Sequence, residues 1–217
     1  MNRRLALFLL ALPLAVSLNA ASAQAAVTLG LKAGITTSQL GSSLADLKWR
    51  SGVGAGASLA VDLGPNVAFA PELLWLRKGS TFTSTNVVVG GLSFGKIETG
   101  IDIDYVEVPL LLRLQTGAPG SPRLMLEAGP TVAFKISETL KTTGLVGVSL
   151  DSDQIESLDY GIAVGAGLRL PAGGLNWTFE ARYEQGLADV SKLPFGGDLK
   201  NGSVQVLAGL EFPLIGR

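Results

Sequence analysis

Charged and aromatic side chains alternate in the segment NWTFEARYEQGL, which runs from Asn176 to Leu187. In an extended chain Glu180, Arg182 and Glu184 lie on one face, because successive side chains of a strand point to opposite sides. Two carboxylates on one face, such as Glu180 and Glu184, have the composition needed for general acid–base chemistry. Charges of both signs on alternate positions are more typical of internal ion pairing, so we interpret this set as structural.

The rest of the composition argues against catalysis. The chain contains no histidine and no cysteine, which removes the usual general base, the commonest transition-metal ligand and thiolate chemistry. The glycine-rich segment Gly52–Ser58 is followed by a strand pattern rather than the helix that a dinucleotide-binding loop requires. The pairs Asp102/Asp104 and Asp151/Asp153 lack a full Ca²⁺ ligand set, so we interpret them as solvated acidic loops. The sequence predicts no enzyme, no cofactor and no metal.

The chain begins with an export signal. Arg3 and Arg4 precede the apolar run Leu5–Leu18, and Ala21-Ser22-Ala23 offers small residues for cleavage. We therefore expect residues 1–23 to be a signal peptide and residues 24–217 to form one domain. No later apolar run reaches the roughly 18 residues that a membrane helix requires. A net charge of −1 gives no reason to expect a nucleic-acid partner.

Eight segments of the mature chain alternate apolar and polar or small residues, and we predict that each is a strand. Most have about ten or more residues, the length a tilted strand needs to cross a bilayer. The predicted strands are Thr28–Thr36, Val53–Leu63, Val67–Arg77, Tyr105–Gln115, Arg123–Ile136, Asp159–Leu170, Trp177–Leu187 and Ser203–Leu214. Pro71, Pro109 and Pro130 fall inside these patterns, and we expect bulges there.

The predicted connections alternate strictly between long and short. The short ones, Gly64–Asn66, Thr116–Pro122 and Pro171–Asn176, are rich in turn residues. Within the long ones, Val87–Gly95 is expected to form a hairpin around Gly90-Gly91, and the segment GLVGVSL to do the same. Short turns on one side and long loops on the other are typical of outer-membrane barrels. The sequence thus predicts an all-β fold, an eight-stranded antiparallel up-and-down transmembrane β-barrel.

One face of the predicted strands carries glycine, alanine and isolated charges, and we assign it to the barrel interior. A solvent-facing surface would avoid glycine, whereas an eight-stranded barrel is narrow enough to be filled by its own side chains. Acids outnumber bases in this set, so some carboxylates should be protonated or reach water. The predicted interior charges are Lys32, Glu72, Glu107, Arg113, Glu127, Arg169, Glu180, Arg182, Glu184 and Glu211.

The opposite face carries aromatic residues near strand ends, where membrane interfaces favour them. We therefore predict that this face contacts outer-membrane lipid. The predicted interface aromatics are Phe69, Trp75, Phe134, Tyr160, Trp177, Tyr183 and Phe212.

Several segments resemble the single-domain outer-membrane β-barrels of the porin family, similar in architecture to OmpA and OmpX. The likeness lies in GLKAGITTSQL, GAGASLAVDLGPNVAFAPELLWLRKG, DYVEVPLLLRL, EAGPTVAFKIS, DYGIAVGAGLRL, FEARYEQGL and the final strand. It implies residence in the cell outer membrane and a terminal signal, at Gly209, Phe212 and Leu214, for the barrel-insertion machinery. The family usually ends on an aromatic residue, whereas this chain continues to Arg217.

Three functions remain open. A closed barrel would anchor long loops that contact an unknown partner in the envelope or at the surface. A pore would conduct small solutes or ions, although an eight-stranded barrel leaves little bore. A soluble barrel binding an apolar ligand would need the charged, glycine-rich face outside, which the composition disfavours.

Overall fold

A computed structural model describes residues 26–42, 48–84, 88–89, 92–93, 97–118, 120–143, 148–151, 156–188 and 199–215. The predicted signal peptide lies outside these residues. No helix in the described part of the chain has the length and hydropathy needed to cross a membrane.

The described residues form eleven strands, eight of them 12 to 21 residues long. In chain order the strands are β1 (Val27–Ser42), β2 (Lys48–Gly64), β3 (Val67–Ser84), β4 (Val88–Val89), β5 (Leu92–Ser93), β6 (Ile97–Gln115), β7 (Arg123–Thr143), β8 (Val148–Asp151), β9 (Leu158–Ala172), β10 (Leu175–Gly186) and β11 (Leu199–Ile215).

The eight long strands close into a ring. Each pairs antiparallel with the long strand before and after it in the chain, in the order β1, β2, β3, β6, β7, β9, β10, β11. The first and last strands then pair with each other, from Thr28↔Pro213 to Ser42↔Leu199. Each of the eight long strands therefore has a neighbour on both sides, as a spanning β-structure requires. The predicted eight-stranded up-and-down barrel is therefore confirmed.

One end of the barrel, which we call the turn end, carries the short connections. Gly173 and Gly174 have φ values of 61° and 85° and form a two-residue hairpin turn between β9 and β10. Two successive positive φ values are what this type of turn requires, and glycine adopts them without steric cost. The opposite end, the loop end, carries the long connections.

The strands extend further at the loop end than the sequence predicts. The β3–β6 ladder continues to Ser84↔Ile97, and β7 runs to Thr143. The predicted ends at Arg77, Tyr105 and Ile136 are therefore wrong. In the extension of β6 the face that carries Glu107 continues with the buried apolar residues Tyr105 and Ile103, so the apolar–polar pattern of the membrane-spanning part does not mark its course.

The hairpin predicted in Val87–Gly95 is present, whereas the segment GLVGVSL contributes one described strand to a hairpin with β7. Strands β4 and β5 pair through Val88↔Ser93 and Val89↔Leu92. Strand β8, in the segment GLVGVSL, pairs with the outer part of β7. These short strands carry order into two of the long connections.

The expected bulges at the three prolines are absent. Pro71 pairs with Leu110 and Pro109 with Thr131 without any change of register. A proline removes one N–H donor but adds no residue. The ladder therefore loses one hydrogen bond, while the pairing of residues across the two strands stays one to one. The register shifts of the described ladders lie elsewhere, for example between Trp49 and Gly54 and between Asp104 and Tyr105.

The barrel is inverted relative to a water-soluble protein. Large apolar side chains on its outer face, such as Ile35, Leu73 and Leu126, are 57–59% exposed. Charged side chains such as Arg113 and Glu107 are fully buried inside. An apolar outside and a charged inside are stable only where the surrounding medium is apolar.

The barrel interior as candidate functional site

The structure places all ten predicted interior charges inside the barrel. Nine are buried, and Arg169, near the turn end, is half-buried. Eight of them form one cluster, which we call the central network, at the level of the middle and turn end of the barrel. Its members are Lys32, Arg113, Arg169, Arg182, Glu72, Glu127, Glu180 and Glu211.

Lysine and arginine share carboxylates in the middle of the central network. The Lys32 Nζ lies 2.7 Å from Glu72 Oε1 and 2.8 Å from Glu180 Oε2. Arg182 donates from Nη1 to Glu72 Oε2 at 2.8 Å and from Nη2 to Glu127 Oε2 at 3.1 Å. Each carboxylate therefore has more than one charged partner, which offsets the cost of removing it from water.

The turn-end part of the central network is built around Glu211. Arg113 donates from Nε to Glu127 Oε1 and from Nη1 to Glu211 Oε1, both at 2.6 Å. The Arg169 Nε lies 2.7 Å from Glu211 Oε2. Four cations thus face four carboxylates, so the central network balances its charges.

Several of these ion pairs cross the lumen between opposite walls. In the ring of eight, β3 is opposite β10 and β6 is opposite β11. Arg182 of β10 binds Glu72 of β3, and Arg113 of β6 binds Glu211 of β11. The side chains therefore span the full width of the barrel and occupy its axis.

A second cluster, the upper network, lies towards the loop end around Lys78. The Lys78 Nζ is 2.6 Å from Glu107 Oε2 and 2.6 Å from Glu184 Oε2, again joining β3 to β10. Neutral donors complete the shell of Glu184 at 3.1–3.2 Å, namely Thr131 Oγ1, Ser203 Oγ and Gln205 Nε2. Sequence reasoning missed Lys78 because its predicted strand ended at Arg77, although Leu74, Leu76 and Lys78 alternate on one buried face.

An apolar layer covers the upper network on the side of the loop end. It consists of the buried side chains Leu40, Ile103, Tyr105, Ala133 and Ala188, with Ile101 packed against them. The layer contacts the upper network, since the Lys78 Nζ lies 5.7 Å from the centroid of the Tyr105 ring.

Glycines of β9 provide the space that the long charged side chains occupy. A Cβ at Gly167 would lie 3.1 Å from Glu180 Cγ and 3.1 Å from Met125 Cε. A Cβ at Gly165 would lie 3.3 Å from Arg182 Cβ. Both distances are tighter than ordinary side-chain contacts, which explains why this wall is glycine-rich.

Carboxylate oxygens of Glu72, Glu127 and Glu180 lie within 4.8 Å of one another, a spacing compatible with a metal ion. Each of the three already contacts Lys32, Arg113 or Arg182. A metal ion would add positive charge to a network that the cations have already balanced. The donor set therefore suits ion pairing rather than metal binding.

The predicted interface aromatics all lie on the outer face. Phe69, Trp177 and Phe212 are near the turn end, where they pair with outward residues such as Leu112, Leu210 and Leu29. The other group, Trp75, Phe134, Tyr160 and Tyr183, is nearer the loop end. Sequence reasoning missed Trp49, which is 49% exposed at the loop end, because its segment was assigned to a loop.

Acidic residues predicted as a solvated loop instead form ion pairs on strand β6. Asp102 is buried and binds Arg50, with Lys141 Nζ 2.8 Å from its Oδ2. Asp104 accepts from Arg77 Nε at 2.7 Å and lies in the strand extension above Trp75. The loop prediction is wrong for these two residues, since cations on neighbouring strands neutralise them.

Comparisons with known proteins agree with this architecture. A family model described as an outer membrane protein beta-barrel domain matches residues 19–192. A search of curated protein sequences found no match. The solved structure of outer membrane protein AlkL in lipid bilayers superposes with a TM-score of 0.54 at 14% identity, covering 92% of this chain and 94% of that chain.

Two further solved barrels superpose with lower TM-scores. OprG from Pseudomonas aeruginosa has a TM-score of 0.46 at 13% identity, covering 87% of this chain and 97% of that chain. Ail of Yersinia pestis has a TM-score of 0.45 at 17% identity, covering 85% of this chain and 98% of that chain. The family match spans most of the chain, which therefore belongs to the outer membrane protein beta-barrel domain family as an eight-stranded barrel of the cell outer membrane.

Proposed function

We propose that this protein is a closed outer-membrane barrel that anchors its strand extensions and loops for contact in the envelope or at the cell surface. The single observation that carries the proposal is the set of ion pairs joining opposite walls, such as Arg182–Glu72 and Arg113–Glu211. A solute would have to separate these pairs to pass. Leaving a buried charge without its partner costs several kcal/mol, so separating these pairs opposes passage.

The strand extensions support the presenting role. Ladders continue past the outer aromatics, for instance in β3 and β6, and ion pairs at Asp102 and Asp104 hold these extensions together. A rigid base positions a loop more precisely than a flexible one does.

The last strand is proposed to present the insertion signal to the barrel-insertion machinery. Phe212 and Leu214 lie at the turn end of β11, and Leu214 is 55% exposed on the outer face. Gly209 is buried against Thr178 and Leu31, so only a residue without a side chain fits there. The outward apolar side chains of Phe212 and Leu214 are available for recognition at this strand end.

A pore for small solutes is the second candidate function. It is favoured by a cavity of about 180 Å³ at the turn end, lined by polar groups including Asp62, Arg123, Arg169 and Asn176. This cavity would be the entrance of a water path. It ends at the central network, so conduction would require the cross-lumen pairs to open.

Conductance of the refolded mature chain in a planar bilayer separates the two functions. Folding is first checked by the different migration of unboiled and boiled samples. We expect a folded wild type with no discrete openings, and openings in a double variant Arg113→Ala/Glu211→Ala. This variant removes one crossing pair and leaves three cations opposite three carboxylates, with Arg169 losing its contact to Glu211. Steady openings in the wild type, altered by Glu180→Gln, would establish the pore instead.

A further inference from the structure

We propose that the outer surface of this barrel carries a binding site for the headgroup of a phosphorylated glycolipid of the surrounding leaflet. The site is a groove at the loop end of strands β1, β2, β10 and β11, between Trp49 and Tyr183, which we call the aromatic groove. It lies on the outside of the barrel, so the inference is independent of whether the lumen is closed.

The two aromatic side chains are the walls of the aromatic groove. Trp49 is 49% exposed and Tyr183 is 43% exposed. The Tyr183 hydroxyl donates to Gln185 Oε1 at 2.6 Å, while Gln185 Nε2 donates to the Gly186 carbonyl at 3.0 Å. These two hydrogen bonds hold the tyrosine ring upright along its strand, so this wall is preformed.

Glycines form the floor of the aromatic groove. A Cβ at Gly202 would lie 3.8 Å from Tyr183 Oη, so the absence of a side chain there leaves the space beside the ring open. Gly41 lines the same depression, whose volume is about 190 Å³. Drug-sized ligands occupy about 300–1,000 Å³, so the groove suits one ring-sized group.

The lining groups match a phosphorylated sugar. The C–H faces of a sugar ring pack against aromatic faces such as Trp49 and Tyr183. Its hydroxyls pair with the second oxygen lone pair and the second N–H that the Gln185 amide keeps after its two hydrogen bonds. Lys200, which is exposed at the rim of the groove, supplies the positive charge for a phosphate. A plain phospholipid headgroup offers the charge but no ring for the aromatic walls.

The depth of the aromatic groove favours a lipid over a free saccharide. The row of paired outward residues Gln39, Gly202 and Gln185 is followed, two residues further into the membrane, by the row Thr37, Val204 and Tyr183. The next row is apolar and exposed: Ile35, Val206 and Ala181. One row step is about 7 Å along a strand, so a headgroup in the groove would place its acyl chains on the apolar rows.

The experiment is native mass spectrometry of the refolded, detergent-solubilised chain with a diphosphorylated glucosamine-based lipid. Parallel titrations use phosphatidylglycerol and the deacylated saccharide of the same glycolipid. We expect the glycolipid to bind at least about tenfold more tightly than either, because only it offers ring, phosphate and acyl chains together.

Variants locate the bound lipid. Gly202→Leu fills the aromatic groove and is expected to weaken glycolipid binding about tenfold. Lys200→Gln removes one charge-assisted contact and is expected to weaken binding several-fold. The matched controls are Ala208→Leu, lower on the outer face of the same strand, and Lys141→Gln, another exposed lysine at the loop end. Neither control should change affinity, and unboiled migration verifies that every variant folds.

The alternative outcomes each overturn the proposal. Equal binding of phosphatidylglycerol would show charge attraction without ring recognition. Equal binding of the deacylated saccharide would show a site for a soluble glycan. Loss of binding in the control variants as large as in Gly202→Leu, or no binding by the wild type, would exclude the aromatic groove as the site.

Discussion

Replacing Arg182 by methionine is the sharpest test of the central network. Methionine keeps much of the apolar length of the side chain and removes the charge. The Arg182 guanidinium makes four contacts of 2.8–3.2 Å to Glu72, Glu127 and Glu180. Adding the four contacts as if they were independent would overstate the loss of folding stability, because they share one guanidinium and three carboxylates.

The structure indicates how large the effect should be. After the substitution Glu72 and Glu180 still bind Lys32, and Glu127 still binds Arg113. Four carboxylates then face three cations, so one buried negative charge is uncompensated. Removing one partner of a buried pair costs about 3–5 kcal/mol, and we expect a loss of folding stability in that range.

The assay is equilibrium urea unfolding of the barrel refolded into lipid vesicles, followed by the migration of unboiled samples. The compensated variant Arg182→Met/Glu72→Gln restores three cations and three carboxylates and should recover most of the loss. An Arg182→Met barrel within about 1 kcal/mol of wild type would refute the reasoning, since that is the effect of an exposed pair. Equal instability of the single and double variants would show that packing, not charge, sets the cost.

Three further predictions use the same unfolding assay. Gly167→Val should destabilise the barrel by about 1–3 kcal/mol, because a Cβ there would lie 2.6 Å from the Phe179 carbonyl oxygen and 3.1 Å from Glu180 Cγ. The adjacent outward variant Ala166→Val should be neutral, and equal effects would contradict the crowding argument. Lys141→Gln removes a half-exposed partner of an ion pair and should cost no more than about 1 kcal/mol. Gly173→Val should lower folding stability by about 1–3 kcal/mol, because a β-branched residue is strained at a φ of 61°. Gly173→Asn should lower it clearly less, since asparagine tolerates this conformation, and similar losses would argue against backbone strain.

The sequence by itself determines which face of each strand is which. Alternation assigns Glu180, Arg182 and Glu184 to one side and Trp177 and Phe179 to the other, and the structure has the same division. The number of long strands and the order of short and long connections also follow from the sequence. These features are local, because they depend on the two-residue period of a strand and on turn residues.

Only the tertiary structure decides which charges meet. Arg182 and Glu72 are 110 residues apart, and they face each other because closure of eight strands makes β3 and β10 opposite walls. No periodicity within a strand encodes its partner across the lumen.

The strand extensions at the loop end are likewise a tertiary result. There the buried face mixes apolar residues such as Ile103 with charged residues such as Lys78, so the sequence pattern fades. The ladder continues because neighbouring strands supply hydrogen bonds, and because cations from other strands neutralise the acids of β6. A local pattern selects the face of a side chain, whereas barrel closure and register select its partner.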